Sequence, residues 1–205
     1  MENKTLAPIK VPENLKLDAP MKILAQTPEN MEEAYELWQE EYGKVYPQYV
    51  VNRDDPFNAQ SHILVIVDET GAIVTSARLT KDSSLKFPDE KFFPVEINMY
   101  RELGMKLMEG GRLINRGSLS FLKLLYKSVY LTAKAEKVEV IIILIKEKDV
   151  AFHRNLLGAY LLADGIEAGN GGEYKMACMS WELNQTKERF FSWVGLTNDL
   201  NGGAK

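Results

Sequence analysis

The chain carries one cysteine, Cys178, in 205 residues, so no disulfide can form within it. Histidine is almost as scarce, with only His62 and His153. No cluster of cysteine and histidine has metal-ligand spacing, and no metal is expected. A cysteine nucleophile needs a base beside it, whereas Met176, Cys178 and Trp181 read as a strand in which Cys178 is a small buried hydrophobe. His62 begins a strand and reads as packed or half-exposed; His153 lies beside Arg154 in a helix and reads as surface. No serine nucleophile elbow is present.

Long apolar runs are also missing. The longest, Val140 to Ile145, falls far short of the roughly 20 residues that span a bilayer. The first ten residues lack the apolar stretch of a secretion signal, so a cytoplasmic location is the expectation. A basic excess is absent too: 25 Lys and Arg face 29 Asp and Glu, a formal charge of −4. That argues against a general nucleic-acid binder but leaves room for a local basic patch facing an acidic partner. With 45% hydrophobic residues the chain can build an ordinary core.

Residues 1–25, rich in Pro and Lys without a period, read as an N-terminal arm. Thr27, Pro28 and the acids behind them start a helix whose apolar residues run from Met31 to Tyr42, with Gly43 as its expected end. After a charged loop, His62–Asp68 and Ala72–Leu79 form a hairpin. A Pro-containing loop from Asp82 to Pro94 leads to a short helix at Val95–Leu103. Met105–Ile114 is a strand interrupted by Gly110 and Gly111, where a bulge is expected. Ser118 should cap a long helix to about Lys137. The β-branched run from Val138 to Ile145 fits a strand covered on both faces. Asp149–Leu157 is a helix stopped by Gly158, and strands at Tyr160–Ala168 and Tyr174–Leu183 flank the connection Gly169-Asn170-Gly171-Gly172. Thr186 should cap a last helix through Trp193, followed by a frayed tail. The expected organisation is one α/β (α+β) domain over residues 26–195, a mixed central sheet flanked by helices, with a flexible tail at 196–205.

Four groupings carry chemistry. Glu109 and Arg112 bracket the two glycines, and a bulge there would turn both side chains into one pocket, while splayed backbone N–H groups could hold a developing oxyanion. On spacing alone they equally suit a structural ion pair. Arg78, set among apolar strand residues, needs a partner or an exposed edge. Arg53, Asp54 and Asp55 share a loop where charge is ordinarily solvated. Arg116, Gly117 and Ser118 precede the long helix, whose N-terminus is suited to an anion.

In this order and spacing, Asp54-Asp55, Arg78 and the Glu109-x-x-Arg112 element resemble the acyl-homoserine-lactone (autoinducer) synthases and the N-acyl amino acid synthases. The resemblance covers about Met31 to Leu183. It implies the acetyltransferase-like (GNAT) fold and direct transfer of an acyl group from a thioester to an amine. Glu109 and Arg112 would be catalytic, with Arg78, Asp54, Asp55, Trp38 and Tyr42 around the amine. The family often has an arginine after a leucine of the first helix; here Leu37 is followed by Trp38, which points away from homoserine lactone toward another amine. The usual acetyl-CoA loop is replaced by Arg116-Gly117-Ser118, which would receive the donor's phosphate. The donor implied is a long-chain acyl group on an acyl carrier protein or CoA, with no tightly bound cofactor. Arg116, Lys123 and Lys127 are the basic residues that could meet a carrier. An acetyl-CoA-dependent acetyltransferase, or a silent acyl-binding protein on the same fold, are the alternatives. The sequence does not specify an oligomeric state.

Overall fold

A computed structural model describes Leu17 and residues 20–24, 27–168 and 174–196. The glycine-rich connection expected at 169–172 and the tail from 197 lie outside the described residues. The helices are α1 (Pro28–Val45), α2 (Pro94–Glu102), α3 (Leu119–Ala135), α4 (Val150–Leu156) and α5 (Glu188–Val194). The strands are β1 (Met21–Ile23), β2 (Ser61–Val67), β3 (Ile73–Lys81), β4 (Leu107–Asn115), β5 (Val140–Lys146), β6 (Tyr160–Ala168) and β7 (Tyr174–Glu182). They form one mixed sheet in the order β1-β2-β3-β4-β5-β7-β6. Every neighbour is antiparallel except β4 and β5, which α3 joins as a parallel pair.

Each sheet face has its own core. On one face, Leu64, Leu79, Met108 and Ile141 pack with Leu125 and Tyr130 of α3 and Phe190 of α5. The other face carries two clusters. Met31, Ala34 and Trp38 of α1 meet Ile63 and Val65, while Ile97 and Tyr100 of α2 meet Leu107, Val140 and Ile142. β5 therefore feeds both faces, so its apolar run is continuous rather than alternating. Burial of a side chain such as Leu125, which has no exposed surface, contributes about 1.5–3 kcal/mol.

Several local expectations need correction. Met21–Ile23, read as part of an irregular arm, pairs with Leu64–Ile66. α1 passes through Gly43, which keeps a negative φ, and stops before Pro47, which disfavours helix at Tyr46. Ser118 occupies the N-cap position of α3 without a side-chain cap bond. α3 ends at Ala135, with Lys137 in the left-handed region at φ 58°. Thr186 does not cap α5 either: its hydroxyl donates to the Leu183 carbonyl and accepts from Trp181 Nε1.

The loop between β3 and α2 is clamped by Arg101. Its guanidinium meets Asp82 at 2.7 and 2.8 Å and both oxygens of Glu90 at 2.7 Å. Hydrogen bonds from the Arg101 guanidinium hold Glu90 below the ordinary carboxylate range despite its burial. Arg101→Met leaves Glu90 buried with only the Phe87 N–H and the exposed Lys86, 3.5 Å away, as partners among the described residues. Urea unfolding should show a loss of about 2–4 kcal/mol, somewhat below the figure for a fully buried pair because Arg101 is partly exposed. A loss under about 0.5 kcal/mol, typical of an inconsequential surface change, would mean that packing of Phe87 and Phe93 alone holds the loop.

Candidate active site

β4 sits at the middle of the sheet and changes character at Gly110. Up to that residue it pairs with β5, ending at Gly110↔Ile143. Beyond it, β4 runs on to Asn115 and β5 to Lys146 without pairing to each other. A side chain at Gly110 would meet Ile143 at 3.1 Å and Ile141 at 3.3 Å, so glycine keeps this junction open.

The expected bulge is present but lies further along the strand. The β3–β4 register passes from Arg78↔Gly111 to Ser76↔Ile114, so Arg112 and Leu113 together oppose Ala77. Arg112 itself takes the left-handed backbone, at φ 51°. For a residue with a Cβ that conformation costs roughly 1–2 kcal/mol. A short chain of bonds fixes it: Trp38 Nε1 donates to Ser76 Oγ at 3.0 Å, and Ser76 Oγ donates to the Arg112 carbonyl at 3.0 Å.

The Arg112 guanidinium rests among three rings. It lies 5.4 Å from Trp38, 5.3 Å from Tyr42 and 5.5 Å from Tyr49, and Nη1 donates to Tyr49 Oη at 2.6 Å. Such contacts are worth about 0.5–2 kcal/mol each, more as water is excluded. Arg78, 3% exposed, donates from Nη1 to Asp55 Oδ2 at 2.7 Å and Asn58 Oδ1 at 3.1 Å. Its Nε is buried without a partner among the described residues. Asp55 also lies 3.9 Å from Arg112. Asp54 stays exposed, its N–H bonded to Asn52. Arg53 is likewise on the surface, paired with Glu32.

Glu109 is 2% exposed and pairs across the sheet with Thr80 and Ile142, between the α1 and α2 cores. Its Oε2 accepts the Asp89 N–H at 3.1 Å, and Oε1 lies beside Gly111. Burial, and then the Asp89 charge, push its carboxyl up to about 8, against the pull of Arg78. Burial raises Asp89 as well, although Arg78 and Arg112 draw it down. Near neutrality Glu109 therefore holds a proton far more readily than an ordinary glutamate. No Glu109–Arg112 ion pair forms among the described residues; Arg112 turns to Tyr49 and Asp55 instead.

Between the parted strands lies a cavity of about 450 Å³. Tyr42 and Gly110 to Asn115 form one side, while Ile141, Ile143, Val129 and Trp181 give it an apolar interior. Arg116 pairs with Glu40 and Glu41 of α1. Asn115 closes the next turn by accepting from the Gly117 N–H and donating to the Gly117 and Ser118 carbonyls. Ser118 is exposed and leaves the first N–H groups of α3 uncapped by a side chain. Lys123 lies over the Trp193 ring. Among the described residues no cluster could hold a metal ion.

Three site residues escaped the sequence reading: Tyr49, Asn58 and Asp89. Their only signal was membership of loops dense in turn formers. His153, read as surface, is buried at 7% exposure and bonded to Tyr126. His62 is fully packed against Glu136, and Cys178 is buried as expected.

The structure of FeeM, an N-acyl amino acid synthase from uncultured soil microbes, superposes with a TM-score of 0.69 at 16% identity, over 81% of this chain and 92% of that one. The CoA-dependent acyl-homoserine lactone synthase BjaI superposes at 0.60 and 11% identity, over 82% and 83%. TofI, solved with an inhibitor and MTA, gives 0.59 at 12% identity, over 88% and 97%. These likenesses establish the GNAT-like fold expected from the sequence. No curated protein matches this chain. The family model for N-acyl amino acid synthase FeeM matches residues 33–171, more than half of the chain and the whole stretch from Trp38 to Arg112 that gathers around Glu109, so the chain belongs to that family of acyltransferases.

Proposed function

We propose that this acyltransferase moves a long-chain acyl group from an acyl carrier protein or CoA thioester to the amine of a small acceptor such as an amino acid. One observation carries the reading: a buried carboxyl of raised proton affinity, Glu109, stands beside Gly111 where β4 leaves β5 and a cavity opens. A group of that affinity suits a base working near neutral pH. The cavity is of the size that holds a drug-sized ligand, far more than an acetyl group fills.

The acyl chain lies in the apolar cavity with its thioester carbonyl at the parting of the strands. Backbone N–H groups of β4 beyond Gly110 steady the oxygen as negative charge develops. The acceptor enters from the α1–α2 face, and Glu109 takes a proton from its ammonium group, directly or through water. The free amine attacks the carbonyl, the C–S bond breaks, and the proton still held on the new amide nitrogen passes to the departing sulfur, which leaves as the thiol. Arg112 and the unpartnered Nε of Arg78 offer positive charge to an acceptor carboxylate, with Trp38, Tyr42 and Asp55 fixing both guanidinium groups. The turn at Arg116, Gly117 and Ser118 and the open N-terminus of α3 suit the donor's phosphate. The catalytic unit is residues 26–195, to which β1 adds an edge strand. No described helix is long and apolar enough to cross a membrane; a cytoplasmic setting is part of the proposal.

Glu109→Gln should lower kcat/KM for acyl-thioester and amine by about 10²–10⁴. Near-normal turnover would remove Glu109 from the mechanism. Asp89→Asn should move the rising limb of the pH–rate profile to lower pH, because the Asp89 charge raises Glu109. The acceptor's own titration is untouched by that change, so an unmoved limb would assign it to the amine. Gly110→Ala pushes a methyl toward Ile141 and Ile143 and should raise KM for long-chain donors more than for acetyl-CoA. Equal effects would place the chain elsewhere.

Stability should respond as well. Glu109 binds its proton more tightly folded than unfolded, so its contribution is full below about pH 4 and is lost as pH rises through about 8. Glu109→Gln should therefore gain stability relative to wild type between pH 5 and pH 9. A constant difference in thermal midpoint across that range would show that the carboxyl is not perturbed.

A further inference from the structure

Most buried residues lining the cavity are aliphatic, and Trp181 commits its indole N–H to Thr186. Tyr126 of α3 and His153 of α4 are different. Both line the cavity, and Tyr126 Oη lies 2.9 Å from His153 Nε2. The other ring nitrogen, Nδ1, lies 2.9 Å from the Asp149 carbonyl oxygen. A carbonyl only accepts, so Nδ1 carries the imidazole proton. Burial holds His153 below the ordinary imidazole range, which keeps the ring neutral and Nε2 bare. Tyr126 must then donate its single proton to Nε2.

This arrangement has a direction. The Tyr126 oxygen retains lone pairs but has no proton left to give. The ring is held in place by edge contacts with Trp193 at 5.8 Å and Phe152 at 6.2 Å. Among the buried aliphatic residues of the cavity, it is a fixed hydrogen-bond acceptor. A ligand N–H or O–H can satisfy it, whereas a carbonyl placed there meets only lone pairs.

We propose that Tyr126, oriented by His153, is a specificity-determining contact for the acyl-thioester donor. It accepts a hydrogen bond from an N–H or O–H of that substrate and disfavours a carbonyl at the same point. The inference rests on the acyl-transfer reading. The shared chemistry has two sources: an amide N–H of the pantetheine arm, or a hydroxyl on the acyl chain.

Calorimetry with unreactive thioether analogues separates them without requiring turnover. The probes are S-dodecyl-CoA, a set of S-(hydroxydodecyl)-CoA and S-(oxododecyl)-CoA compounds with the oxygen at successive carbons, and S-dodecyl-mercaptoethanol, which lacks the pantetheine amides. Tyr126→Phe should weaken binding about tenfold. Weakening of every CoA probe but not the mercaptoethanol compound identifies the arm amide. Weakening confined to one hydroxyl position identifies the chain. His153→Phe is the control for misfolding: it returns the Tyr126 proton to the cavity, so an oxo-chain probe should now bind better relative to its hydroxy partner. Equal affinity of wild type and Tyr126→Phe for all probes, or a His153→Phe variant that weakens all probes alike, overturns the inference and leaves acyl transfer standing. A wild type that binds none of them overturns the inference and removes the CoA thioester as donor from the acyl-transfer reading.

Discussion

Four register pairs hold β4 beside β5, from Leu107↔Val140 to Gly110↔Ile143, and the separation that follows governs what the neighbouring residues must be. Two parallel strands that part in mid-sheet leave backbone donors and acceptors facing each other across a gap. Buried polar groups of that kind are costly unless something else takes up the bonds. The surrounding features shape the gap. Gly110 lets Ile141 and Ile143 lean across the last pair, and the bulge at Arg112 and Leu113 turns β4 away while keeping its bonds to β3. Trp38 and Ser76 then hold the bulge from the α1 side. The cavity is the space that results, and its apolar walls are the ordinary core residues of β5 and α3.

The electrostatics follow from how the two arginines are engaged. Each has a partner before any substrate arrives: Arg78 has Asp55 and Asn58, and Arg112 has Tyr49 and its aromatic surround. Neither is free to neutralise Glu109 fully, which sits buried with Asp89 nearby. A raised carboxyl is the outcome of arginines that are close but committed. Arg101 acts at a distance from this chemistry by pinning the loop that delivers the Asp89 N–H to Glu109.

The sequence was most legible where one physical demand dominates. The β-branched run of β5 can only be a strand buried on both faces, and Glu109, Arg112 and Arg78 stood out as charges inside apolar strands. Less was readable where tertiary contacts choose among equal local options. Asp54 and Asp55 are identical side chains one residue apart; only the turn leading to Asn58 decides that Asp55 reaches Arg78. Asp89 belongs to a loop whose path is set by Arg101, many residues away. Ser118 and Thr186 are both plausible helix caps, yet the Thr186 hydroxyl is drawn to Trp181 and Leu183. His153 lies on a helix of seven residues, too short for periodicity to reveal which side faces inward. The three residues of β1 add an edge strand too brief to show alternation.

The order of residues along the chain divides the molecule at the parting of β4 and β5. Every charged or aromatic side chain gathered around Glu109 comes from residues 38–112, while the cavity's far wall, from Tyr126 to Trp181, is made afterwards. A chain emerging from the ribosome would thus present the charged and aromatic side chains around Glu109 before the far wall of the cavity exists. Gly110 and Gly111 mark the border between the two stretches, at the point where β4 and β5 part.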